Sequence, residues 1–354
     1  MSTQHPRRVS RRRFLGGLTL AGTGGLLGVH PRPVAAEPPP AVTTLRLTAS
    51  KPGGLCIAPK YGAEALLQPE GFPAIHSTAE QHMPHRMQHL ASGETDLECT
   101  FGGPFITRRD AGAPILVLAG GHSGCVELVG TEPVRPPRAR KGKTVAVTSL
   151  GDAEHAFLAS IGAYVGLAPQ KDIHWGTPPP VESMRLLAAG TIDAILATPP
   201  RAQALRAQQI GPVGVNSTVD RPWSQDFCGL VAGPRECVRT RPVATKRALR
   251  ARLKAANVCA LEPERAARFL VDKGYVQRYD EALQTMQELP YGKWREDAPE
   301  ETIRCYALRL HEAGMIKSTP QKIIAQGTDW RFFNELKREL KGERGRRQER
   351  GAGA

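Results

Sequence analysis

The sequence has no Cys-x-x-Cys pair among its seven cysteines, at positions 56, 99, 125, 228, 237, 259 and 305. That excludes a zinc ribbon and a dithiol redox motif, and an odd, scattered set is no disulfide framework. Several cysteines sit in apolar runs, as in Leu55-Cys56-Ile57 and Phe227-Cys228-Gly229, where cysteine acts as a small buried hydrophobe. Pairing among them is the minority expectation. Aromatic residues are scarce at 5%, and none interleave with basic residues as on RNA-binding platforms. No phosphate loop is present, because Lys141-Gly142-Lys143-Thr144 lacks the upstream glycine. Gly121-His122-Ser123 opens like a nucleophile elbow, but Cys125 stands where its last glycine belongs. No catalytic residue, metal or cofactor is implied by these motifs.

Positive charge is abundant, yet unevenly placed. The formal charge is +14; the first 36 residues hold six arginines and no acid, and the last twenty hold seven bases and four acids. The body is only mildly basic, so no nucleic-acid partner is expected. The leading segment has its own logic. Arg7, Arg8 and Arg11-Arg12-Arg13 precede an apolar run from Phe14 to Val29, and Val34-Ala35-Ala36 precedes Glu37. An arginine pair followed by Phe14-Leu15 and a glycine-rich run reads as a twin-arginine export signal cleaved near Ala36. The run is too short and too rich in glycine to anchor the chain in a bilayer. The expected compartment is the periplasm, reached through the twin-arginine translocase.

Residues 37–354 exceed the size one hydrophobic core usually organises. Short apolar strands alternate with amphipathic helices, the pattern of α/β folds with parallel sheets. Strands are expected at 45–49, 73–77, 96–100, 115–119 and 125–130. A Pro/Arg-rich loop at 132–141 marks an internal boundary. The pattern restarts with strands at 144–148, 173–175 and 192–197, and one more begins at Phe227. From about residue 246 the chain reads as helical, and 341–354 reads as a disordered tail.

One phrase occurs twice. Leu90-Ala91-Ser92-Gly93-Glu94-Thr95-Asp96-Leu97 is matched by Leu187-Ala188-Ala189-Gly190-Thr191-Ile192-Asp193-Ala194. In each, a helix ends at a glycine suited to positive φ, and a buried strand comes next. With Lys141-Gly142-Lys143-Thr144-Val145-Ala146-Val147 and Ser149-Leu150-Gly151, this order resembles ABC-transporter solute-binding proteins of the nitrate/sulfonate/taurine and thiamine-pyrimidine-precursor type. The resemblance spans about residues 45–340. It implies a type II periplasmic-binding-protein fold with lobe I at 42–130 plus 226–340 and lobe II at 131–225. It also implies a monomer that is not an enzyme, a small polar or anionic ligand, and an inner-membrane ABC permease as partner. The family's aromatic, glycine-rich entry after the first strand is replaced here by Lys51-Pro52-Gly53-Gly54-Leu55-Cys56.

In open α/β sheets, ligands sit at the carboxyl ends of strands. That rule selects Gly54, Leu55 and Cys56; Thr100, Phe101 and Gly102; Ser149, Gly151 and Asp152; and Thr198. The resemblance adds Asp226 in the segment returning to the first lobe. Hydroxyls and helix N-termini in these loops suit a carboxylate, sulfonate or nitrate, although Ser149 and Asp152 also suit helix capping. Two alternatives stand beside this reading: a pyrimidine-precursor synthase on the same fold, and a metal receptor using His85 and His89, four residues apart on one helix.

Overall fold

The computed structural model describes residues 37–51, 53–80, 82–131 and 141–351, with side chains to 341. The export leader and its cleavage point lie outside the described residues. β1 (Thr44–Ala49) pairs in parallel with β2 (Ala74–Ala79). A second sheet has the order β3 (Glu98–Thr100), β10 (Phe227–Pro234), β4 (Ile115–Ser123). The third has the order β7 (Ile173–Gly176), β6 (Lys143–Ala146), β8 (Ala194–Ala197), β5 (Glu127–Gly130), β9 (Val213–Asn216). Helices flank the sheets and make up nearly all of the chain after Arg235. No helix among the described residues is long and apolar enough to cross a membrane.

The two-stranded sheet is parallel, the three-stranded sheet antiparallel and the five-stranded sheet mixed, so the sheets are not parallel throughout. β6 runs parallel to β7 and β8, whereas β10 is antiparallel to β3 and β4, and β5 to β8 and β9. The reason is connectivity. Parallel neighbours need a crossover helix; β5 and β10 are entered by short crossings from one sheet to another, so they start at the opposite end. β5 also belongs wholly to the five-stranded sheet. β9 escapes the sequence pattern, since Gly211, Pro212 and Gly214 interrupt its short Val213/Val215 alternation. The segment read as a disordered tail continues the helix Arg331–Gly351; its Glu, Lys, Arg and Gln residues are good helix formers.

Near-continuous apolar strands arise because the five-stranded sheet is covered on both faces. Val145 and Leu196 join the main core, while their neighbours Ala146 and Ile195 join a smaller one with Leu187 and Leu205.

The repeated phrase has one structural job performed twice. Gly93 and Gly190 adopt φ +78° and +68°, and their N–H groups bond to Leu90 and Leu187 carbonyls. Three residues later, Asp96 and Asp193 lock β1 and β6. The Asp96 carboxylate accepts from the Arg46 N–H at 2.8 Å and the Arg46 guanidinium at 2.5 Å. The Asp193 carboxylate accepts from the Thr144 N–H at 2.8 Å and the Lys143 ammonium at 3.1 Å. Both Asp N–H groups donate back to those strands at 2.9 Å, to Arg46 and Thr144 carbonyls. These aspartates therefore hold register. Asp193→Ala should cost about 2 kcal/mol in denaturant unfolding, the scale of hydrogen bonds to a charged group; an unchanged midpoint would refute the role.

Candidate ligand-binding site

The chain crosses from β4 to β5 through residues 124–126 and returns through 217–226. The crossings bind each other. Ser217 Oγ accepts from the N–H groups of Cys125 (3.1 Å) and Val126 (2.8 Å), and the Ser217 N–H donates to the Val126 carbonyl. Gly124, at φ +63°, lies so close that a Cβ there would stand 2.6 Å from the Ser217 carbonyl oxygen. Cys125 and Cys228 form a disulfide with Cα atoms 6.4 Å apart. This corrects the view of these cysteines as unpaired hydrophobes. They are 103 residues apart, and only the return of β10 beside β4 brings them together.

The strand-end residues fall into two groups. Ser149, Gly151, Asp152 and Thr198 lie at the ends of β6 and β8 and are at least partly accessible. Asp152 caps the helix Ala153–Tyr164, accepting from the Ala153 N–H at 2.7 Å. Burial pushes its carboxyl pKa up, opposed by that N–H. On the first side the side chains turn inward. Leu55, Cys56 and Thr100 are buried, the Leu55 carbonyl accepts from the Tyr291 hydroxyl at 2.7 Å, and Thr100 Oγ1 points at Met83 Sδ. Phe101 precedes the helix Gly102–Asp110, whose N-terminus has no side-chain cap. Beside Gly54, Gly53 abuts the ring of Tyr61, which is hydrogen-bonded to Ser50 and stacks on Tyr275 at 4.1 Å. Ser50 and Lys51 also line a pocket of ≈ 460 Å³ with Ser77, Glu80 and His82. Asp226 lies in the return crossing; burial pushes its pKa up to about 6, assisted by Asp297 and opposed by a Cys305 hydrogen bond.

Behind that first wall is a charge cluster that no motif in the sequence marks. Glu98 is completely buried and accepts from Lys60 Nζ at 2.6 Å, from Arg86 and from the Thr48 hydroxyl. Arg252, 3% exposed, lies in the same cluster, and its Nε and Nη1 have no partner among the described residues. Three cations thus face one carboxylate. The titration shifts record the imbalance. Burial opposes the Glu98 charge, but Lys60 and Arg86 outweigh it and hold the pKa at about 2. Burial lowers Lys60 to about 8, because the attraction of Glu98 is offset by Arg86 and Arg252. The cluster reaches toward the second wall, since the Arg86 charge also lowers the pKa of Asp152.

The two walls touch. Gly103, in the helix Gly102–Asp110, abuts Ala156 so closely that a Cβ at 103 would lie under 3.0 Å from the Ala156 Cβ. At another point, Gln203 Nε2 donates to Thr285 Oγ1 at 3.1 Å, and Arg206 donates to both Glu288 oxygens at 2.9 and 2.8 Å. His85 and His89 do not converge. His85 pairs with Glu80 at 3.2 Å and His89 with Glu94 at 2.5 Å, each an independent exposed contact. Among the described residues neither belongs to a three-ligand group.

A model of the NMT1-like family matches residues 121–271, which include both crossings and the five-stranded sheet. No curated protein matches the chain by sequence. Among solved structures, the chain is similar to the periplasmic nitrate-binding protein NrtA from Synechocystis PCC 6803, at 16% identity and TM-score 0.68, over 86% of this chain and 90% of that one. It is similar to the periplasmic aliphatic sulphonate-binding protein SsuA from Escherichia coli, at 18% identity and TM-score 0.64, over 81% and 92%. It is also similar to a Candida albicans gene product described as having the generic periplasmic binding protein fold, at 12% identity and TM-score 0.62, over 81% and 96%. The fold is that of the periplasmic binding proteins, as the sequence resemblance implied.

Proposed function

We propose that the chain is an exported solute-binding receptor that captures a small anionic organic solute between two lobes and presents it to an ABC permease of the inner membrane. Lobe I comprises residues 42–126 and 226–340, and lobe II residues 127–225. The protein reaches the periplasm through the twin-arginine translocase, loses its leader near Ala36, and acts as a monomer. The observation that carries the anionic class is the excess of buried positive charge behind the first wall, with Lys60, Arg86 and Arg252 set against Glu98 alone. Unpaired buried charge is costly, and an incoming carboxylate or sulfonate offsets it. Thr198, Ser149 and the uncapped N-terminus of the helix Gly102–Asp110 supply donors for its oxygens. Capture works by population shift, because only a closed molecule lets one ligand touch both walls.

Thermal unfolding of the purified chain with sulfonates, nitrate, aromatic carboxylates, pyrimidines and divalent metals tests this. One anionic class should raise the transition, by about 2.7 kcal/mol of stability at a hundredfold excess over Kd. Stabilisation by neutral pyrimidines alone, or turnover of a ligand, would refute it.

A further inference from the structure

Beneath the first crossing, three metal-ligating side chains from separate segments converge. Cys56 comes from the turn Leu55–Ile57, His122 from the end of β4, and Cys125 from the crossing itself. One ligand atom from each lies within 4.8 Å of the other two. All three are buried, at 5%, 1% and 2% exposure, and Cys228 brings a fourth buried sulfur through its bond to Cys125.

His122 supplies an independent sign. Its Nε2 is buried with no hydrogen-bond partner; such orphans are rare in folded proteins and call for an occupant or a role. The ring is also confined. A Cβ at Gly229 would lie closer than 3.0 Å to it, so glycine is needed there, and Tyr291 packs at 5.9 Å between centroids. Rotation away from the sulfurs has little room.

The donor set matches a known coordination chemistry. Three thiolates and one imidazole form a closed tetrahedral zinc site, with Zn–S of about 2.3 Å and Zn–N of about 2.0 Å, which puts neighbouring donors roughly 3.7 Å apart. For Cys56, His122 and Cys125 the present spacing reaches that with a contraction of about 1 Å, and Cys228 completes the set by moving in once its bond to Cys125 is broken.

We propose that the dithiol form of this chain binds one thiophilic divalent ion of the zinc class through Cys56, His122, Cys125 and Cys228. Reducing the disulfide takes two electrons and two protons, which a dithiol reductant supplies while closing to its own disulfide. The three thiols then give their protons to solvent as the sulfurs bind the ion, and the neutral imidazole donates a lone pair. Four protein ligands leave no open position, so the ion is structural. It is neither cargo nor catalyst, and it fastens the crossing and β10 to the turn at 55–57. The proposal does not depend on the anion-receptor reading.

The test is an anaerobic cobalt(II) titration of the full chain after reduction with dithiothreitol and desalting. The reduced chain should develop thiolate-to-cobalt charge transfer and tetrahedral visible bands that saturate at one ion per chain. Zinc(II) should bleach them, and the oxidised chain should show none. Cys56→Ser and His122→Gln should each weaken binding by roughly tenfold or more, whereas Cys259→Ser, a buried cysteine elsewhere, should not. Absence of the bands in the reduced wild-type chain, or their survival in the Cys56→Ser/His122→Gln double variant, would overturn the proposal. If a variant fails to fold by circular dichroism, the wild-type titration decides alone. Anion binding is read by thermal shift on the oxidised chain, so failure of either reading is visible without the other.

Discussion

Gly103→Ala should weaken solute binding by roughly tenfold to a hundredfold, while the solute-free chain keeps its unfolding temperature. A methyl group at 103 would lie under 3.0 Å from the Ala156 methyl, whereas carbon atoms attract best at about 3.5–4.0 Å. The helices Gly102–Asp110 and Ala153–Tyr164 must then part by more than about 0.5 Å to restore contact. Overpacking of this kind costs about 1–3 kcal/mol, and under the proposed capture mechanism it falls on the closed form, in which the two walls touch. The whole cost therefore falls on ligand capture. Titration calorimetry against the anion found by thermal shift gives the number, and Ala156→Gly in the same chain should restore affinity. Equal affinity in Gly103→Ala and the parent would mean that this helix contact has no part in capture.

Glu98→Gln should be the most destabilising single change in the first wall, costing about 3–5 kcal/mol, the range for removing one partner of a buried ion pair. Lys60 and Arg86 both bond to this carboxylate, and Arg252 already lacks partners for two nitrogens. Neutralising Glu98 leaves three buried cations with no counter-charge. Protonating it does the same, which sets the pH dependence. Its pKa, held at about 2 in the folded chain, compares with about 4.3 when unfolded. Its contribution is thus complete above about pH 4.3 and is lost as pH falls toward 2. Lys60 gives a further slope at the other end. Its folded pKa of about 8 lies below the ordinary value of 10.5, so the unfolded chain holds more protons between these and stability rises with pH there. Denaturant midpoints across both windows check the two signs. A Glu98→Gln chain whose acid limb matched the parent's would show that Glu98 does not carry it. Lys60→Met added to Glu98→Gln should recover part of the loss, because one cation fewer is then left bare.

Much of the fold is legible along the chain because it depends on sequence neighbours. Period-two and apolar runs locate nine of the ten strands among the described residues, and the repeated Leu-x-x-Gly phrases mark two helix ends whose glycines do adopt positive φ. The strand-end rule names loops from strand positions and direction alone. It does not say which side chains are accessible there. Leu55, Cys56 and Thr100 turn inward, and the accessible hydroxyl and carboxylate groups come mainly from the 148–152 loop and Thr198.

The amino-acid order therefore carries the local features: alternating strands and helices, helix ends, the loops between them, and the arginine-led leader pattern. Pairings between distant segments come from the folded chain alone. Glu98 meets Lys60, Arg86 and Arg252 across 38, 12 and 154 positions, and Cys125 meets Cys228 across 103. No periodicity encodes such meetings, and that of Cys125 with Cys228 depends on how β10 threads back between β3 and β4 after the chain has crossed twice. The same return sets Gly229 against His122. Scattered cysteines and a single histidine become one cluster through chain topology, since burial and packing act on proximity in space rather than on spacing in sequence.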